Sequence, residues 1–149
     1  MFIYLIIIAF VLGLDVFTKY LAVNMFRLSD VEIIKDVLYF TYVENRGAAF
    51  GIMQNKQWFF IIVTIVLVAV MIGFIIKKKP ESKLLMVSLS FIIAGGIGNL
   101  IDRIRLGYVV DFIDFRIINY PVFNVADCFV VVGAILLCVY VLFSKDEVK

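Results

Sequence analysis

The chain has 149 residues, of which 64% are hydrophobic and 17% are charged, and its formal net charge is +2. A soluble domain is about half apolar and about a quarter charged, so this composition indicates an integral membrane protein, with residues 1–149 as one domain. The small, scattered charge gives no basis for binding nucleic acid. The absence of histidine excludes Ser-His-Asp and Cys-His catalysis and a histidine-based zinc site.

The first apolar run predicts a transmembrane helix over about residues 2–23. Asp15 and Lys19 interrupt this run, and no positively charged segment precedes it, so we interpret it as a retained span rather than a signal peptide. The i, i+4 spacing of the two residues predicts an ion pair on one helix face. The simplest interpretation is a structural pair near the helix end, with Lys19 reaching the membrane interface. That role is compatible with support of a functional site.

A more polar segment, residues 24–57, follows the first span. Within it, residues 37–44 are rich in aromatic and β-branched side chains and predict a strand. The sequence NRGAAFG, residues 45–51, comes next, and its small residues allow a close backbone approach. A tight turn is the simplest interpretation of NRGAAFG, and a segment laid on a peptide is the functional alternative.

The next two features fix the expected orientation. Residues 58–76 form an uncharged apolar run that predicts the second span, with Trp58 at the interface. Residues 77–83, KKKPESK, contain four lysines, so the positive-inside rule places them in the cytoplasm. With four spans, both termini are then cytoplasmic, and residues 24–57 and 104–121 face outward.

The third predicted span, residues 84–103, combines small and polar residues. Ala94 and Gly98 form a small-xxx-small pair, which favours close helix packing. A second interpretation is the wall of a groove with polar groups at its end. One helical stripe carries Gly95, Gly98, Asn99 and Asp102, with Arg103 beside it.

The fourth predicted span, residues 122–143, follows an extended connection around residues 108–115 and a break at Pro121. Cys128 and Cys138 lie about 15 Å apart along this helix, too far for a disulfide. We interpret both as small hydrophobic core residues. The resulting prediction is an all-α membrane protein of four transmembrane helices.

Two aspartates flank the fourth span's start. Asp127 has the spacing of a capping box with Asn124, and Asp111 lies in the apolar sequence VVDF at the same predicted membrane level. Two carboxylates at a partly desolvated site favour one protonated and one ionised group, which is the aspartic-protease arrangement and needs no metal or cofactor. An acid-lined ion or proton channel or carrier would use similar residues. A purely structural four-helix protein is the third possibility.

Five blocks of sequence carry a resemblance to a known family. They are DVFTK (15–19), ENRGAAFG (44–51), GGIGNLIDR (95–103), VVDF (109–112) and FNVAD (123–127). In this order and with four spans, they resemble the lipoprotein signal peptidases, or signal peptidase II. The resemblance implies a bacterial inner-membrane aspartic endopeptidase with a small extracytoplasmic β-structure. Such enzymes cut diacylglyceryl-modified prolipoproteins before the lipidated cysteine and are the target of globomycin.

The resemblance also assigns residues. It implies that Asp111 and Asp127 are the catalytic pair, at an active site near the outer face of a monomer embedded in membrane lipid. It implies supporting roles for Asp15, Lys19, Asn45, Gly47, Asn99, Asp102, Arg103 and Asn124. In this interpretation Lys19 positions Asp15, and Asp102 holds the end of the third span. The substrate enters sideways along the small-residue groove of that span, and NRGAAFG closes over the site.

Overall fold

The computed structural model describes residues 2–47, 53–118 and 120–143. These residues form four helices and three strands. In chain order they are α1 (Phe2–Met25), β1 (Val31–Ile34), β2 (Leu38–Asn45), α2 (Gln57–Lys78), α3 (Lys83–Leu106), β3 (Val109–Phe115) and α4 (Val125–Phe143).

All four helices are long and apolar enough to cross a membrane, which confirms the predicted fold class. The first three extend one to three residues beyond the predicted spans. The fourth begins at Val125 instead of residue 122, because the preceding residues are extended and Phe123 pairs with Ile113 of β3. The backbone N–H groups of Phe112 and Ile113 both donate to the Phe123 carbonyl, at 3.0 and 2.8 Å.

Helix α3 lies at the centre of the bundle, and the other three helices pack against it. Its small residues make this possible: a Cβ at Gly95 would overlap the Ala126 carbonyl, and one at Gly98 would lie 2.6 Å from Asp15 Oδ2. Close packing is therefore confirmed for the small-residue stripe. The alternative of a groove wall is wrong, because α4 and α1 cover Gly95 and Gly98.

The prediction that both cysteines of α4 are core residues is wrong. Cys138 is exposed on the helix surface, and Cys128 is only half-buried, so neither is a core residue. Both are free thiols, as their separation along the helix predicts.

The strands form one antiparallel sheet in the order β1-β2-β3. The predicted strand at residues 37–44 and the extended stretch at 108–115 correspond to β2 and β3, and β1 was not predicted. Gly107 ends α3 with φ at +79°, in the left-handed region that favours glycine, so the chain turns directly into β3. Because Asn45 pairs with Val109 at the start of β3, the end of β2 lies beside the end of α3.

Alternation along β3 decides which side chains reach the bundle. Val110 and Phe112 are buried with Ala22 of α1 in a small apolar core that also contacts Phe40 of β2. Asp111 lies between them in sequence and points to the opposite side of the strand. The sheet is thus seated on one end of the bundle, with Val110 and Phe112 against α1 and Asp111 on the other face of β3, next to Asn124 at the start of α4.

Candidate active site

Asp111 is held in the β3 strand by two asparagine side chains. Asn45 Nδ2 donates to Asp111 Oδ2 at 2.9 Å, and Asn124 Nδ2 donates to Asp111 Oδ1 at 2.6 Å. The residue is 1% exposed, so these amides replace the solvation that its carboxylate has lost. Burial, and then the negative charge of Asp127, raise the pKa of Asp111 to about 7.

Asp127 lies in the first turn of α4, where the predicted capping box is present. The Asp127 N–H donates to Asn124 Oδ1 at 3.0 Å, and the Asn124 N–H donates to Asp127 Oδ2 at 3.2 Å. The other carboxylate oxygen, Oδ1, accepts from Asn99 Nδ2 of α3 at 2.7 Å. Asp127 therefore takes part in the cap of α4 and in the polar cluster at the same time.

The two carboxylates meet across Asn124. This residue contacts Asp127 through its backbone N–H and Asp111 through its side-chain amide. Both aspartates line a cavity of about 230 Å³. It is also lined by Asn45, Gly47, Asn99, Arg103, Val109, Tyr120, Pro121, Val122, Phe123 and Val131.

Lys19 is the cation at the centre of the cluster. Its Nζ lies 2.9 Å from Asp15 Oδ2, 2.9 Å from Asp102 Oδ2 and 3.0 Å from Asn99 Oδ1. The predicted Asp15–Lys19 ion pair is therefore present. The expectation that Lys19 reaches the interface is wrong, because the residue is 4% exposed and all three contacts hold it inside.

Asn99 connects Lys19 to both aspartates by hydrogen bonds, directly to Asp127 and through Asn124 to Asp111. Its Oδ1 accepts from Lys19 and, at 3.1 Å, from Asn124 Nδ2. An amide oxygen that receives two donors leaves its Nδ2 directed at the other side, where it meets Asp127. The side chains of Asn99 and Asn124 are thus fixed in the orientation that donates to carboxylates.

The two carboxylates that pair with Lys19, those of Asp15 and Asp102, each also accept a hydrogen bond from a backbone N–H next to one of the paired aspartates. Asp15 Oδ1 accepts from the Ala126 N–H at 2.9 Å, one residue before Asp127. Asp102 Oδ2 accepts from the Val110 N–H at 3.2 Å, one residue before Asp111. The ion cluster thereby fastens α1 and α3 to the two segments that carry the pair.

Arg103 and Gly47 close the side of the cavity next to β2. Arg103 Nη2 donates to the Gly47 carbonyl at 3.5 Å, and its guanidinium lies 5.1 Å from the centre of the Phe60 ring. The Gly47 N–H donates to Asn45 Oδ1 at 3.0 Å, which orients the Asn45 amide towards Asp111. The predicted closure of NRGAAFG over the site falls largely on residues 48–52, which lie outside the described residues.

A second, apolar cavity of about 390 Å³ adjoins Asp127. It lies along α4 and under the connection that follows β3. Its lining consists of Phe115, Ile118, Tyr120, Phe123, Asp127, Cys128, Val131 and Val132. Sequence reasoning placed the apolar groove on α3 and missed these residues. The signal in the sequence was the apolar and aromatic content of residues 116–123, RIINYPVF, between β3 and the fourth span.

Every buried charged residue among those described belongs to this one cluster. The buried hydroxyls of Ser88 and Ser90 only donate to carbonyls of their own helix, at 2.8 and 2.7 Å. Since an ion path needs polar groups through the depth of the membrane, the arrangement does not favour the channel or carrier alternative.

Four candidate spans and two carboxylates that line one cavity at an end of the bundle are the features of a membrane aspartic peptidase. The family model described as signal peptidase (SPase) II matches residues 7–143. The chain belongs to the signal peptidase II family of aspartic peptidases. Its activity is that of a lipoprotein signal peptidase, and its substrates are prolipoproteins.

Relatives from bacteria match nearly the whole chain. The lipoprotein signal peptidase of Caldanaerobacter subterraneus subsp. tengcongensis is 54% identical and covers 94% of this chain and 96% of its own length. That of Clostridioides difficile is 48% identical, with 97% of each chain covered. A solved bacterial membrane enzyme superposes with a TM-score of 0.91 at 36% identity and covers 100% of this chain and 93% of its own.

Proposed function

We propose that Asp111 and Asp127 are the catalytic pair, and that they hydrolyse the peptide bond preceding the diacylglyceryl-modified cysteine of a prolipoprotein. The observation that carries the proposal is that one residue, Asn124, hydrogen-bonds both carboxylates at the wall of one cavity. The remaining members of the cluster are supporting residues that fix this geometry.

The hydrogen-bond pattern suggests a division of roles. Asp127 lies in the first turn of α4, where the helix dipole adds to the hydrogen bonds from the Asn99 amide and the Asn124 N–H in favouring its ionised form, so it acts as the general base towards water. Asp111, with its pKa raised to about 7, carries the proton that polarises the scissile carbonyl. Attack by water gives a tetrahedral diol. Its collapse breaks the C–N bond, and the proton held by Asp127 passes to the leaving amine.

The apolar cavity along α4 supports a route for the substrate. It opens from Asp127 between apolar side chains such as Phe115 and Val131. We place the apolar part of the substrate next to the scissile bond there, so the substrate arrives from the lipid on the α4 side. A cyclic peptide inhibitor of the globomycin type would occupy the same cavity against the pair.

Orientation and assembly complete the proposal. The lysine-rich connection between α2 and α3 faces the cytoplasm, as do both termini, and the site lies near the outer face of the bacterial cell membrane. One chain supplies both carboxylates and all of the amides that hold them. A monomer is therefore sufficient for activity.

The test is cleavage of a diacylglyceryl-modified prolipoprotein peptide by purified protein in detergent, with a chelator present. We expect cleavage by the wild type and by the control Asp36→Asn, which changes an exposed aspartate in the β1–β2 turn. Asp111→Asn and Asp127→Asn should each abolish cleavage while the helices stay folded by circular dichroism. Cleavage that survives either substitution would overturn the assignment of the pair.

A further inference from the structure

A third cavity, of about 280 Å³, lies at the end of the bundle away from the sheet. There α1 begins, α2 ends and α3 begins. Helices α1 and α2 both pack on α3 rather than on each other, which leaves a gap between them. The cavity is lined by Tyr4, Ile76, Lys79, Pro80 and Met86.

The lining of this cavity combines apolar and polar residues. Met86 of α3 is 3% exposed, whereas Ile76 of α2 is 65% exposed. Lys79 is exposed and Tyr4 is half-buried, and both line the cavity with a group able to donate to an anion. A ligand that matches this lining has an apolar chain and an anionic head.

The backbone at Lys79 is unusual. Its φ and ψ are 47° and 54°, the left-handed conformation, and its N–H donates to the Ile75 carbonyl at 2.9 Å to end α2. Glycine is favoured at this position because a Cβ is disfavoured there. The cap therefore fixes where the Lys79 side chain leaves the end of α2, beside the cavity.

The charge around the cavity also favours an anionic ligand. The short connection between α2 and α3 carries Lys77, Lys78, Lys79 and Lys83 against one acid, Glu81. None of these lysines forms an ion pair with another residue in the part of the chain that the structure describes. They lie where two spans end, at the level of lipid headgroups.

We propose that this cavity is a binding site for an anionic phospholipid. The phosphate binds Lys79 and the Tyr4 hydroxyl, and one acyl chain runs over Met86 in the gap between α1 and α2. A zwitterionic lipid binds less well, because its own ammonium would face the lysine-rich connection. The site lies apart from the catalytic pair and does not depend on the proposed mechanism.

Native mass spectrometry tests the proposal with phosphatidylglycerol and phosphatidylcholine of matched acyl chains, each added to the purified full chain. We expect phosphatidylglycerol to bind preferentially. Lys79→Gln should weaken its binding about fivefold, the effect of about 1 kcal/mol for one lysine near an anionic headgroup. Lys77→Gln removes the same charge from the same connection but lies outside the cavity lining, so it should change binding little. Soluble glycerol phosphate, which has no acyl chain, should not bind.

The variant Lys79→Gly is the control for misfolding. Glycine accepts the left-handed conformation, so this variant should melt at a higher temperature than the wild type without lipid. It should also lose the extra stabilisation that phosphatidylglycerol gives over phosphatidylcholine. Equal binding of the two lipids, or equal losses in Lys79→Gln and Lys77→Gln, would overturn the proposal, because either result would indicate unspecific attraction to the connection.

Discussion

Asn124 does two things with one side chain. Its Oδ1 caps α4 by accepting from the Asp127 N–H, and its Nδ2 donates to Asp111 and to Asn99. An asparagine suits this position because it offers a cap acceptor and an amide donor together. Serine or aspartate would cap the helix equally well but would bring no amide to the carboxylates.

Substitution of Asn124 therefore separates helix capping from catalysis. Asn124→Ser keeps a capping oxygen and loses the amide, so we expect a fall in kcat of about 10²-fold and a loss of about 1–3 kcal/mol of stability from the buried hydrogen bond to Asp111. Asn124→Ala loses the cap as well and should lower the free energy of unfolding by about a further 1 kcal/mol. Turnover by Asn124→Ser close to that of the wild type would show that the amide does not serve the pair.

Asn45 offers a test of the proton held by Asp111. Its amide stabilises the ionised carboxylate, so Asn45→Ala should raise the pKa of Asp111 further above about 7. If protonated Asp111 is the active form, kcat/KM falls as the pH rises through this pKa. The alkaline limb should then lie at higher pH in the variant.

The measurement is a pH–rate profile of kcat/KM for wild type and Asn45→Ala. Asn55→Ala provides a control, because Asn55 is an exposed asparagine in the turn before α2. An acid limb that moves to higher pH in Asn45→Ala, with the alkaline limb unchanged, would argue that Asp111 works as the ionised base instead.

At the scale of the elements, the contact between α1, α3 and α4 depends on small residues. Gly98 faces Asp15, whose carboxylate is held by Lys19 and by the Ala126 N–H and cannot move away. Gly98→Ala should therefore shift the first span and lower both the melting temperature and the activity. A strained core insertion of this kind costs about 1–3 kcal/mol.

The matched control is Gly73→Ala in α2, where an added Cβ meets nothing within 4 Å. We expect its melting temperature to equal or slightly exceed that of the wild type, since alanine favours a helix more than glycine does. Equal effects of the two substitutions, measured by thermal unfolding in detergent, would mean that the Gly98 contact is not tight.

The helices and two of the three strands were predictable because their signals are local. Long apolar runs define α1 to α4, and the aromatic, β-branched run defines β2. Strand β1 was missed, since its four residues are all exposed and show no alternation of buried and exposed positions. It is held instead by pairing with β2, a contact that only the folded hairpin supplies.

The candidate site was predictable as a set of residues but not as a geometry. The motifs selected every member of the polar cluster, although their individual roles stay predictions. That Lys19 lies 3.0 Å from Asn99 is a contact across 80 positions of sequence, which no local pattern encodes. The small residues of α3 fitted packing and a groove equally well, because both need a narrow helix face. Only the positions of α1 and α4 decide between them.

At the scale of the whole molecule, the two ends of the bundle differ in chemistry. One end carries the sheet and the buried polar cluster, and the other carries the lysine-rich connection and the third cavity. Helix α2 contributes Phe60 beneath Arg103 and is otherwise largely exposed along its length. The asymmetry fits a protein that works at one membrane face.

Orientation can be tested directly with reporter fusions. We expect alkaline phosphatase to be active when fused after Asp36, in the β1–β2 turn, and inactive when fused after Lys78, because the lysine-rich connection lies in the cytoplasm. A cytoplasmic fluorescent reporter at the same two points should give the opposite pattern. Phosphatase activity at Lys78 would reverse the orientation and place the catalytic pair inside the cell.

The hydrogen bonds that join Ile113 to Phe123 have a consequence for how such an enzyme can diversify. They hold Phe123 beside β3, so the connection between Phe115 and Phe123 has both of its ends fixed. That connection supplies Ile118 and Tyr120 to the apolar cavity, whereas Asp111 belongs to β3 and Asp127 to α4. Its length and side chains can therefore change which substrates fit while the two carboxylates keep their positions.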